Sequence, residues 1–312
     1  MKLLPRSDGI TKKTAFKFGV GGLELTAMCI PALLLVLLFN YVPMFGLIIA
    51  FQDFSPFRGI ADSPWAGFMW FEQFFGSQFF WRLLRNTLLL NLYNVIFSFP
   101  IPILLALLRN EIRHSWYKKA AQTISYLPHF VSTVVVVGMM ANFLSPVGGI
   151  VNLAIEKFGG ESVNFMIKPE WFRSLYVISG IWQEAGWGSI IYLAALSGID
   201  IQLYEAAIVD GANKWKQLWH ISIPGILPTI IIMLIMSLGH ILSIGYEKII
   251  LMYNSATYET ADVINTYVYR RGIVSGEYSF GTAVGLFQSV INFVFVIAAN
   301  RLSRKVTEIS LW

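Results

Sequence analysis

A single cysteine, Cys29, stands among 312 residues, so no internal disulfide can form. Histidine is nearly as scarce. His114, His129, His220 and His240 are scattered, and with one cysteine they supply no ligand set for a metal. Charge is short as well: Asp, Glu, Lys and Arg make up 13% of the chain, roughly half the ~25% of a water-soluble domain. Catalytic signatures are missing too. There is no G-x-x-x-x-G-K-[ST] phosphate loop, no H-E-x-x-H and no G-x-S-x-G. P-loop binding of ATP, zinc proteolysis and elbow-type serine hydrolysis are thereby excluded.

What the chain has instead is apolar surface: 56% hydrophobic and 15% aromatic residues, with a mean hydropathy of +0.62. About twenty apolar residues cross a bilayer core. Six stretches reach that length: Leu25–Phe51, Leu83–Leu108, Ala120–Leu144, Trp171–Leu196, Ile226–Leu251 and Phe280–Ala299. The expected fold is an all-α integral membrane protein of six transmembrane helices. The first stretch exceeds a signal-peptide core and lacks a small-residue cleavage site, so it is expected to remain as a span. Asn, Gln, Glu, Gly and Pro punctuate the second and fourth stretches, which should face protein or water more than lipid. Pro100 and Pro102 are expected to kink the second.

Lys and Arg set the orientation. Lys2, Arg6, Lys12, Lys13 and Lys17 precede the first span. Arg109, Arg113, Lys118 and Lys119 follow the second, Lys214 and Lys216 follow the fourth, and Arg301, Arg304 and Lys305 follow the sixth. The intervening connections hold fewer. Both termini are therefore expected in the cytoplasm: a tail at 1–24, a six-span domain at 25–300 with a cytoplasmic loop at 197–225, and a tail at 301–312. The net charge of +5 is accounted for by this asymmetry, which leaves no call for nucleic-acid binding. On the outer side, Asp53–Trp81 is dense in Trp and Phe. It reads as a membrane-interface helix, with a sugar-stacking platform as the lesser reading. Gly148–Phe158 reads as a short amphipathic helix.

The most informative segment is SGIDIQLYEAAIVDGANKWKQLWHISIPGILPTI, between the fourth and fifth spans. Asp200 suits a helix N-cap, and the apolar residues after it recur at helical spacing. Gly211 suits a left-handed helix end. A second helix, Ala212–Ile221, is expected before Pro224 and Pro228 interrupt the chain. Leu203, Ala206, Ala207 and Trp215 would give the bend an exposed apolar face, the mark of a partner interface.

Glu205-Ala206-Ala207, three residues, Gly211, nine residues, Ile221, one residue and Ile223-Pro224 resemble the EAA loop of permease subunits in binding-protein-dependent ABC importers. The family pattern is EAA-x3-G-x9-I-x-LP, and Ile223 in place of leucine is the one departure. Asp200, Tyr204, Asp210 and Ala212 resemble the carbohydrate branch, and Leu127–Val135 (LPHFVSTVV) resembles a sub-branch for complex oligosaccharides and polysaccharide fragments. The resemblance implies a type I ABC importer permease in the cell membrane that performs no chemistry of its own. It implies ATP and Mg bound by two copies of a separate ATPase, a homologous permease as partner, and an external solute-binding protein received at 53–81, 145–170 and 252–278. In that role Tyr204, Glu205, Ala206, Ala207, Asp210, Gly211, Trp215 and Pro224 form the ATPase-coupling loop.

Sugars are bound by aromatic faces and by amide or carboxylate groups on their hydroxyls. Trp182, Gln183, Glu184, Trp187 and Tyr192 on the fourth span, Tyr246 and Glu247 on the fifth, and Asn292 on the sixth are the candidates to line an oligosaccharide pathway. Glu184 leads, because a charge in mid-span needs a cavity or a partner. Bundle-internal pairing is its plainer role. Asn86, Asn91, Asn94 and Gln288 are expected to bond between helices, and Gly180, Gly186 and Gly188 to permit close packing. Two rivals remain at this stage. One is an intramembrane enzyme on a lipid or polysaccharide precursor, using Glu184 or Glu247. The other is a permease of the same superfamily for an amino acid or metal ion, against which the lack of clustered Met, His or Cys counts.

Overall fold

The structure, a computed structural model, describes residues 20–112, 114–307 and 310–311. It divides into two compact units, 1–48 and 49–312. Within the first, Val20–Val36 is a helix continued by a π turn at Leu37–Tyr41 and a tighter 3-10 stretch from Val42. Apolar residues surround it on every side, as they do in a helix bathed in lipid.

The second unit is helical, and no β-strand forms among the described residues. Its spans are Phe80–Asn110, the bent pair Ser115–Phe130 and Thr133–Phe143, Pro169–Ser197, Lys214–Leu238 and Tyr278–Thr307. With Thr26–Phe51, four continuous helices are long and apolar enough to cross a membrane. Counting the pairs bent at 98° (in the third stretch) and 70° (after the fourth) as one span each brings the total to six.

Proline placement explains two local departures from a regular helix. Pro100 and Pro224 have no N–H to offer the preceding turn. The chain answers with π turns just before them, at Asn94–Ser98 and Leu218–Ser222, so that Phe99 N–H reaches back to Asn94 O at 2.9 Å. A π turn takes up a mismatch without ending the helix. The expected separate helix at Ala212–Ile221 therefore merges into the fifth span, which runs unbroken from Lys214 through Pro224 and Pro228.

The third stretch turns at Leu127–Phe130. Val131 and Ser132 are extended, and Ser132 caps the next helix by accepting from Val135 N–H.

The fifth span ends at Leu238 instead of Leu251. Ile249, Leu251 and their neighbours belong to a separate helix, Tyr246–Met252. Two amides of the sixth span make the break affordable. Asn292 Oδ1 accepts from Leu242 N–H at 3.0 Å, and Gln288 Nε2 donates to Leu242 O at 2.6 Å. Hydropathy alone shows no such break.

The aromatics of Asp53–Trp81 divide: Phe57, Trp65, Phe68, Phe75 and Trp81 are exposed, while others turn into the bundle. Met69–Phe75 forms the helix, yet Phe74 is 1% exposed and packs with Phe80, Leu83, Tyr267 and Phe280, while Trp70 donates its indole N–H to Gln52 O at 2.8 Å. Ile150–Lys157 forms the short outer helix.

Candidate functional site

Two regions carry function-bearing chemistry. In the loop after the fourth span, Asp200 Oδ1 caps a helix at Ile201–Val209 by accepting from Gln202 N–H at 2.9 Å. That helix ends in a Schellman motif: Ala212 N–H donates to Ala207 O at 2.8 Å and Gly211 N–H to Ile208 O at 3.0 Å, with Gly211 at φ 74°. Tyr204 Oη lies 3.0 Å from Ser222 Oγ, tying the loop helix to the fifth span. Lys214, at the start of the fifth span, pairs with Glu111 at 2.9 Å, tying that span to the end of the second. Ile201, Leu203, Ile208, Val209 and Trp215 are exposed, as are Glu205, Ala206 and Asp210. An apolar, rigidly capped helix is thus presented outward.

Beneath it, Arg109 is buried, with one guanidinium nitrogen on Ser189 Oγ at 2.6 Å, another on Ser125 Oγ, and its plane 4.9 Å over the Tyr126 ring. It joins three helices. Sequence reading took Arg109 only as an orienting charge, because a lone arginine at a span end does not reveal that two serines from other helices will meet it.

The second region lies along the fourth span. Glu184 Oε2 is 2.9 Å from His129 Nδ1, and the His129 ring lies flat on Trp187, centres 4.5 Å apart with 3° between planes. Phe130 meets Trp187 edge-on at 5.6 Å. More than half of the Glu184 side chain is open. Lys248 approaches from the Tyr246–Met252 helix, donating to Tyr176 O at 3.3 Å and lying within electrostatic reach of Glu184.

The other candidates are used differently. Gln183 is buried and donates to Val131 O at 3.0 Å, holding the bend of the third stretch. Tyr192 is 3% exposed and packs with Ala106, Leu196 and Ile226. Trp182 lines an apolar groove with Val136, Met139 and Leu175. Tyr246 stacks on Tyr269 at 5.3 Å. Glu247 is exposed and forms no ion pair among the described residues. Asn292 serves the break near Leu242, its amide also donating to Ser243 Oγ at 2.8 Å. Of the pathway residues read from sequence, then, Glu184 and Trp187 come together, and His129 and Lys248 are the members that were missed. Lys248 adjoins Glu247 in the chain, and spacing alone does not show that its helix turns it toward the fourth span.

At the start of the second span, Asp262 is buried and holds Arg270 through two 2.8 Å bonds, with Arg82 at 3.5 Å and Thr266 Oγ1 at 2.7 Å. Burial by itself would lower the Arg270 pKa. The Asp262 bonds outweigh it and leave the guanidinium above its usual value.

Residues 98–308 match the family described as binding-protein-dependent transport system inner membrane component. The chain belongs to that family. This permease is 47% identical over 281 residues to the polygalacturonan/rhamnogalacturonan transport system permease protein YteP of Bacillus subtilis (strain 168), covering 90% of this chain and 88% of that one. It is 46% identical over 278 residues to Protein LplB of the same organism, covering 89% and 87%. Among solved structures, it resembles a chain of a bacterial ABC transporter involved in import of the acidic polysaccharide alginate. There the TM-score is 0.84 and the identity 46%, covering 92% of this permease and 97% of that chain. A second structure, of the alginate transporter in complex with an alginate pentasaccharide-bound periplasmic protein, gives a TM-score of 0.85 at 45% identity, covering 94% and 98%. The permease is a multi-pass membrane transport subunit, and the enzyme reading is set aside.

Proposed function

We propose that this permease forms half of the translocation pathway of an ABC importer for an oligosaccharide, specifically a fragment of an acidic polysaccharide. The observation that carries the reading is Glu184, an open carboxylate in mid-span beside the His129–Trp187 stack. A charge at that depth is costly against lipid and belongs in a cavity or against a partner. A second, homologous permease would close that face, and the alginate and polygalacturonan transporters among its relatives support an acidic sugar as cargo.

The helix Ile201–Val209 is the coupling helix in this reading. Glu205 meets a polar group of a separate ATPase that binds ATP and Mg, and Ala206 and Ala207 allow close approach. Gly211 makes the bend, with Asp210, Trp215 and Pro224 shaping the return to the membrane. Tyr204 carries its movement to the fifth span through Ser222, and Lys214 of that span passes it to the second through Glu111. A solute-binding protein delivers sugar at the outer segments, both termini lie in the cytoplasm, and the enclosing membrane is the cell membrane.

The test is ATP hydrolysis by the complex reconstituted with its partner permease, ATPase and binding protein. Gly211→Asp and Glu205→Lys should abolish the stimulation given by sugar-loaded binding protein while membrane insertion persists. Normal stimulation in both variants would remove the coupling role from this loop.

A further inference from the structure

We propose that Lys248 is the residue of this permease that reads a carboxylate on the transported oligosaccharide. This rests on the reading of the chain as an importer permease for acidic polysaccharide fragments.

Most of the outer cations are already committed to acids. Arg270 and Arg82 hold Asp262, Arg271 holds Glu277, and Arg85 holds Glu259 at 2.6 Å. Lys248 stands apart from them. It is half-buried, adjoins Glu247, and forms no ion pair among the described residues. Its Nζ donates to Tyr176 O at 3.3 Å, a long bond, and sits 5.1 Å from the centre of the Tyr176 ring. An ammonium has three donors, so two remain for a ligand.

The surroundings suit one kind of ligand. The ammonium head lies against Gly180 of the fourth span, 3.7 Å from where a Cβ would stand. Gly180, Glu184 and Trp187 are spaced four and three residues apart and so share one face of the fourth span. Along that face lie a cation with unused donors, a carboxylate anchored on His129, and aromatic surface. A sugar bearing an acid group needs a ring for its C–H face and a cation for its carboxylate. A neutral sugar makes no use of an unpaired ammonium, which is costly to keep at this depth. Lysine is also suited to a moving chain, because a point charge on a flexible stem meets successive carboxylates at different angles.

The experiment follows uptake of a labelled uronate trisaccharide into proteoliposomes holding the full complex, alongside ATP hydrolysis stimulated by loaded binding protein. Lys248→Gln should lower uptake on the order of tenfold, the loss of one charge-assisted hydrogen bond, while stimulated hydrolysis persists. Lys248→Arg should restore most of it. Glu184→Gln should lower the apparent KM for the uronate, a charge that repels the sugar carboxylate having been removed. Wild-type uptake limited to neutral sugars would overturn both the acidic-cargo reading and this inference. Uronate uptake unchanged in Lys248→Gln, or a loss that Lys248→Arg fails to rescue, would overturn this inference alone.

Discussion

Asp262 has more partners than any other acid among the described residues. Its side chain is 1% exposed, accepts from Arg270 and Thr266 and forms an ion pair with Arg82, while Asn86 of the second span donates to its backbone carbonyl at 3.0 Å and accepts from Arg173 at 3.0 Å. Replacing Asp262 with Ala leaves two arginines facing a buried void, a loss of about 3–5 kcal/mol for a broken buried pair. A markedly lower melting temperature of the purified complex is the expected result. Because Arg270 stays charged well above its ordinary range, that stability should not fall as pH rises from 6 to 9, which a pH series of melting curves will check. Gln288 acts at the same scale. Gln288→Leu removes the partner of Leu242 O, a buried acceptor, at a cost of about 1–3 kcal/mol.

Elements meet closely where glycine lets them. A Cβ at Gly186 would run into the Ser125 backbone, so the fourth span and the first half of the third stretch touch backbone to backbone. Ser125 is also a partner of Arg109. Gly186→Val should therefore push these helices apart and disconnect the arginine, lowering complex yield and melting temperature together. Gly188→Ala meets only the flexible ring of Pro102 at 3.3 Å and should do much less. In the loop, Gly211 sits at φ 74°, where a β-branched residue is strained by about 1–3 kcal/mol. Gly211→Val is thus expected to loosen the end of the loop helix and weaken ATPase coupling without disturbing the spans.

For the whole molecule, the fourth-span face bearing Glu184 and Trp187 is expected to meet water during transport. Cys29 is the sole cysteine, so Cys29→Ser provides a cysteine-free background for probing this. A cysteine at Trp187 should react with a membrane-impermeant maleimide at a rate that changes when the complex is trapped with nucleotide. One at Phe293, exposed on the apolar sixth span, should stay slow in both states. Equal rates at the two positions would place Glu184 outside the pathway.

Hydropathy, Lys and Arg placement and helix punctuation determined the helical class, the approximate spans, and the capped loop with its glycine bend, because these signals are local to a few turns of chain. Asp200 and Gly211 act on their immediate neighbours and were legible for that reason. Tertiary structure alone decided the end of the fifth span at Leu238, which depends on amides from Gln288 and Asn292 far along the chain. It alone turned Lys248 toward Tyr176, packed Tyr192 against Ala106 and Leu196, bonded Gln183 to Val131 O, and gathered His129 onto Glu184 and Trp187. Those outcomes turn on which faces of separate helices meet, and a one-dimensional pattern of apolar residues in a membrane chain is nearly uniform around the helix and leaves that choice open.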